Sequence, residues 1–131
     1  MTQRILVIED QPDNRQILRD LLTNADFEVI EAEDGEAGVA AAGTHRPDLI
    51  LMDIQLPLMD GYEATRRIKA DPALRAIPII VITSYALSGD EDKSRAAGCD
   101  AYFSKPFSPR QLLAKVREYL PSGTPTRSST V

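Results

Sequence analysis

The segment LILMDIQLP, residues 49–57, decides how the chain is read. Leu49, Ile50, Leu51 and Met52 are apolar at consecutive positions. A strand with one wet face alternates apolar and polar residues, so an unbroken run predicts a strand covered on both faces. IIVI within IPIIVIT (77–83) repeats the pattern. Further short apolar or aromatic runs stand at RILVIE (4–9), FEVIEA (27–32) and DAYFSK (100–105). At the end of the first run comes Asp53, and a charge there is costly unless something offsets it.

Between the strands lie segments of helical length. NRQILRDLLTNA (14–25) places Ile17, Leu18, Leu21, Leu22 and Ala25 on one helical face. GEAGVAAAG (35–43) is rich in both Ala and Gly and is a weaker helix former. DGYEATRRIKAD (60–71) has Asp60 as N-cap and Asp71-Pro72 as stop. SGDEDKSRAAG (88–98) has a thin apolar face and Gly98 in the C-capping position. SPRQLLAKVREYL (108–120) has Ser108 as N-cap, Pro109 at the first helical position, and Leu112, Leu113, Val116 and Leu120 as its stripe. Alternating strands and helices with doubly covered strands give an α/β fold, a five-stranded parallel sheet with helices on both sides.

Composition agrees. The chain has 131 residues, 43% hydrophobic and 27% charged, which suits one soluble domain with a full core. No apolar run approaches the ~20 residues of a membrane helix. MTQRILVIED reaches acidic residues too soon for a secretory signal. Cys99 stands alone, which excludes an internal disulfide and fits a reducing cytoplasm. A net charge of −5 argues against nucleic acid as a direct partner. PSGTPTRSSTV (121–131) lacks apolar periodicity and reads as a disordered tail after a domain of residues 1–120. His45, in THRPD, is expected in a solvated surface loop, and Cys99 as a small core residue.

Ligands of open α/β sheets bind beyond the carboxyl ends of the strands. Strand one ends in Glu9-Asp10, strand three in Asp53, strand four in Thr83 and strand five in Lys105-Pro106; strand two adds the acidic turn Glu31, Glu33, Asp34. Singly, each has an ordinary explanation, such as a helix cap, a strand threonine or a solvated lysine. Together, three carboxylates at one edge repel strongly, and one lysine does not neutralise them. Clustered carboxylates without His or Cys select a hard cation, and few protein ligands suit Mg²⁺ better than a closed calcium cage. Such a site supports phosphoryl transfer onto Asp53, since a carboxylate is a competent nucleophile.

Glu9-Asp10, LMDIQLPLMDG (51–61), Thr83-Ser84 and Ser104-Lys105-Pro106 together resemble the receiver domains of two-component response regulators, most closely the stand-alone, single-domain receivers of the DivK type. The resemblance spans residues 4–120. It implies the doubly wound (βα)5 flavodoxin-like fold with strand order 2-1-3-4-5. It also implies a phosphorylation-dependent signalling switch rather than an enzyme. Asp53 would be the phosphoacceptor, charged by a histidine kinase or phosphotransfer protein. Glu9, Asp10, Asp53 and the backbone carbonyl of Gln55 would bind Mg²⁺. Thr83 and Lys105 would contact the phosphoryl group, Thr83 and Tyr102 would form the switch, and the Lys105-Pro106 bond would be cis.

With no long segment after Leu120, output is expected in trans, through the face of the fourth helix, fifth strand and fifth helix, roughly residues 87–119. The protein would be a monomer or a phosphorylation-linked homodimer. Bulky Gln55 and Tyr85 occupy the two positions, two residues beyond Asp53 and Thr83, that tune phosphoryl lifetime in such domains, predicting slow hydrolysis. A haloacid-dehalogenase-like phosphohydrolase would need an acid two residues beyond Asp53, where this chain has Gln55. A flavodoxin-like FMN carrier needs a phosphate cradle after strand one, where EDQPDN is acidic. A receiver that only binds partners, without phosphorylation, would have no use for an intact acceptor, acid pair, threonine and lysine.

Overall fold

A computed structural model describes residues 3–54, 56, 59–83, 95–104 and 108–120. Five strands, β1 (Arg4–Ile8), β2 (Glu28–Ala32), β3 (Leu49–Asp53), β4 (Ile79–Thr83) and β5 (Ala101–Ser104), form one sheet in the order β2-β1-β3-β4-β5. Every pairing is parallel. Helices α1 (Pro12–Asn24), α2 (Gly35–His45) and α3 (Gly61–Ala70) connect the first four strands, and a C-terminal helix (Pro109–Tyr119) follows β5. Among the described residues no helix is long and apolar enough to cross a membrane.

The consecutive apolar runs are explained by the two faces of the sheet. Along a strand successive side chains point to opposite faces, and here each face is a separate core. Leu6, Ile8, Ile50, Met52, Ile79 and Val81 pack with Ala42 of α2 and with Ala64 and Ile68 of α3. Ile5, Val7, Leu49, Leu51, Ile80 and Ile82 pack with Leu18 and Leu22 of α1 and with Leu112 and Val116 of the C-terminal helix. All five residues of β3 and of β4 are buried, including Asp53 and Thr83.

The helix starts follow local chemistry. Asp34 Oδ1 accepts from Ala37 N at 2.7 Å, Asp60 Oδ1 from Glu63 N at 2.9 Å, and Ser108 Oγ from Gln111 N at 3.4 Å. Each side chain satisfies an N–H that the first helical turn leaves open. The Gly- and Ala-rich GEAGVAAAG is helical, carried by this cap and by close packing rather than by propensity. On α3, Glu63 pairs with Arg66 and Arg67, and these hydrogen bonds, that to Arg67 foremost, hold its carboxyl below the usual carboxylate range.

Three sequence expectations are corrected. Helix α1 begins at Pro12, not Asn14, because proline's fixed φ and missing N–H suit the first turn. Ile17 does not join the buried stripe; it is 57% exposed, while Leu18 and Leu22 are buried. At ~100° per residue, Ile17 falls at the rim of an arc centred on Leu18 and Leu22. His45 is not in a loop but ends α2, exposed, its carbonyl accepting from Arg4 Nη2 at 2.6 Å. Cys99 is buried in the core facing α3, as a small core residue should be. Of the segment SGDEDKSRAAG, 88–94 lie outside the described residues; 95–97 are helical and Gly98 takes φ +109°, a conformation that favours glycine. The tail 121–131 also lies outside the described residues.

Candidate phosphoryl-acceptor and metal site

Parallel register brings the acidic residues together. Ile8 pairs with Met52, so the next residues along, Glu9 and Asp53, emerge side by side at the carboxyl edge. On the other flank Asp53 pairs with Ile82, which sets Thr83 one step beyond it. Glu9 N donates to Ala32 O at 3.0 Å and Ile54 N to Ile82 O at 3.3 Å, extending both ladders past the strand ends. The strands thus hold these positions with main-chain bonds.

One carboxylate oxygen each from Glu9, Asp10 and Asp53 can be chosen so that all lie within 4.8 Å of one another. Glu9 is 1% and Asp53 6% exposed, whereas Asp10 is half-buried. Glu9 Oε2 accepts from Gln11 N at 3.1 Å, and Asp10 Oδ2 from Gln11 Nε2 at 3.4 Å. Three carboxylates this close, two of them in a low-dielectric setting, carry a repulsion that a divalent cation removes most economically. An all-oxygen donor set with partial solvent access fits a hard ion such as Mg²⁺.

Thr83 is 1% exposed and lies on the same sheet face as Val81, which pairs with Tyr102 of β5. Tyr102 is half-buried and packs against the core on the α2–α3 side. Threonine and tyrosine therefore share one face near the carboxyl edge, two residues apart in register. Lys105, Pro106, Gln55 and Tyr85, for which the resemblance implies phosphoryl contact, a cis bond, a metal-binding carbonyl and control of phosphoryl lifetime, lie outside the described residues.

Two residues at this edge escaped the sequence reading. Gly61 N donates to Ile54 O at 2.9 Å, tying the start of α3 to the residue after Asp53. Arg15 Nη1 donates to the main-chain carbonyls of Glu9 at 2.9 Å and Asp10 at 3.3 Å. A sequence signal existed for Arg15: a cation in the first turns of a helix opposes the macrodipole and calls for a local partner.

Comparison with known proteins places this geometry in a family. Residues 5–117 match the response regulator receiver domain. The polar-differentiation response regulator DivK of Brucella ovis is 42% identical over 120 residues, spanning 92% of this chain and 98% of that protein. Among solved structures, the receiver domain of the sensor histidine kinase PA1611 from Pseudomonas aeruginosa PAO1, described with a magnesium ion coordinated in its active site cleft, superposes with TM-score 0.85 at 38% identity, covering 91% of this chain and 98% of that one. The Vibrio cholerae chemotaxis protein CheY4 superposes with TM-score 0.86 at 28% identity, covering 92% and 100%. Neither the phosphohydrolase nor the unphosphorylated binding module is favoured by these relationships. With its five parallel strands in the order 2-1-3-4-5 and an acidic cluster at their carboxyl edge, this chain belongs to the response regulator receiver domains, the phosphorylation-dependent switches of two-component signalling.

Proposed function

We propose that Asp53 is the phosphoacceptor. A carboxylate oxygen of Asp53 forms the new P–O bond as the P–N bond of a phosphohistidine breaks, and the departing imidazole keeps the electron pair and takes up a proton. The donor is a histidine kinase or phosphotransfer protein. Glu9, Asp10 and Asp53, with the backbone carbonyl of Gln55, hold Mg²⁺, which when bound offsets the negative charge gathered at the site. Lys105 supplies a further positive charge to the phosphoryl group, and Thr83 a hydroxyl. The observation that carries this reading is the approach of three carboxylates within 4.8 Å at the strand edge, beside a buried threonine.

Signalling then follows from a change at Thr83 and Tyr102, which share a sheet face. The partner is a downstream protein meeting the surface of roughly residues 87–119, and nucleic acid is not contacted directly. The protein acts in the cytoplasm as phosphoacceptor, with at most self-catalysed phosphorylation and dephosphorylation, as a monomer or a phosphorylation-linked homodimer. The receiver domain runs from residue 1 to 120, and residues 121–131 are a tail beyond it.

Intact mass spectrometry after incubation with Mg²⁺ and acetyl phosphate tests the chemistry. One added phosphoryl group on the wild type and none on Asp53→Asn is expected. Equal labelling of both, or labelling of neither, rejects Asp53 as the acceptor.

A further inference from the structure

A cation sits against the backbone of the acid pair. Besides its bonds to the carbonyls of Glu9 and Asp10, Arg15 presents Nε to Glu31 Oε1 at 3.4 Å, and its side chain is 14% exposed. Glu31, on β2, is held in turn by Arg19 Nη1 at 2.9 Å. One guanidinium therefore joins α1, the turn after β1, and the neighbouring strand. Its planar fork suits this task, because several donors point in fixed directions from one group.

The placement has an energetic oddity. Arg15 is the fourth residue of α1, where the helix dipole disfavours a cation. It also stands close to a site that must accept a divalent cation, which it repels. Glu31 answers its charge, but its bonds to the acid pair go to main-chain carbonyls, not to the carboxylates. What it does supply is a hold on the two carbonyls whose residues carry the carboxylates. Mg²⁺ demands near-octahedral geometry at about 2.0–2.1 Å, so small rotations of the turn after β1 misplace its ligands.

We propose that Arg15, oriented by Glu31, is a positioning residue that holds the Glu9-Asp10 turn in its cation-binding geometry. This rests on the reading of Glu9, Asp10 and Asp53 as the metal site. Groups that orient metal ligands typically change affinity about 10–100-fold when removed. The lower end applies here, since the contact is to main chain and β1 still anchors Glu9. Two further consequences separate geometry from charge. Arg15→Lys keeps the charge but cannot reach two carbonyls and Glu31 together, so it weakens binding. Arg15→Met removes a repelling charge, yet also weakens binding.

Calorimetric titration of Mg²⁺ into the full unphosphorylated chain tests this, with thermal unfolding recorded for each variant. Arg15→Met is expected to lose about tenfold in affinity, and Arg15→Lys and Glu31→Gln to lose less. The Arg15→Met/Glu31→Gln double variant should match Arg15→Met within about twofold, because the two act as one unit. If Arg15→Met does not fold, Arg15→Lys decides. Unchanged or tighter binding in a folded Arg15→Met, or wild-type affinity in Arg15→Lys, overturns the proposal. Asp10→Asn is the reference for loss of the site: a wild type that binds no better than Asp10→Asn removes the metal site itself, whereas normal wild-type binding with indifferent Arg15 variants removes only the role of Arg15.

Discussion

Gly61 lies directly against the main chain of Asp53. A β-carbon at Gly61 would fall 2.5 Å from the Asp53 carbonyl oxygen and 2.8 Å from Ile54 Cα. Both are backbone atoms, at the end of β3 and in the residue after it, so neither yields the way a flexible side-chain tip does. The start of α3 can approach the acceptor strand this closely because residue 61 has no side chain.

Gly61→Ala should therefore act on both stability and chemistry. Overpacking of this kind costs about 1–3 kcal/mol, and the displaced atoms belong to the acceptor residue. We expect a lower melting temperature together with slower labelling by acetyl phosphate in the protein that remains folded. Labelling at the wild-type rate would show that Asp53 tolerates the shift of its own carbonyl.

At the opposite end of the sheet, Lys69 Nζ donates to Arg75 O at 3.0 Å, to Ile77 O at 2.9 Å and to Asp100 Oδ2 at 2.9 Å, while Asp100 Oδ2 also accepts from Ile79 N at 2.8 Å. The ammonium thus ties α3 to the amino ends of β4 and β5. Lys69→Met strips several acceptors of their donor at a site 17% exposed at the lysine, and should cost about 1–3 kcal/mol. Phosphoryl incorporation per folded molecule should not change. Denaturant unfolding paired with mass spectrometry checks both, and reduced labelling in the folded fraction would link this clasp to the far edge.

The two faces of α1 give a third contrast. Leu22 is fully buried, and Leu22→Ala should destabilise by about 2–5 kcal/mol through the cavity it leaves. Ile17 is 57% exposed, and Ile17→Ala should stay within about 0.5 kcal/mol of wild type. Equal costs at the two positions would mean that α1 is rotated about its axis, so that Ile17 is buried with Leu18 and Leu22.

Most of the architecture was legible from residue order. Consecutive apolar positions in LILM and IIVI require cover on both faces, and with the alternation of strands and helices that requirement implies parallel strands with helices above and below. The caps at Asp34, Asp60 and Ser108 are local chemistry: Asp60 and Ser108 were readable from three or four neighbouring residues, whereas Asp34 read only as part of an acidic turn. The members of the acidic cluster were also legible, because strand ends in such a sheet point to one edge.

What the sequence could not decide was anything set by register or by rotation of a helix about its axis. That Glu9 and Asp53 lie side by side depends on Ile8 pairing with Met52, a long-range choice. Ile17 satisfies the same apolar periodicity as Leu18, and only the position of α1 on the sheet turns one outward and the other in. The grip of Arg15 on the acid pair, and the closeness of Gly61 to Asp53, join near neighbours in sequence, but each exists only because of where its helix sits against the end of the preceding strand. Residue order determined which groups reach the edge of the sheet; tertiary packing decided how near they stand and what holds them there.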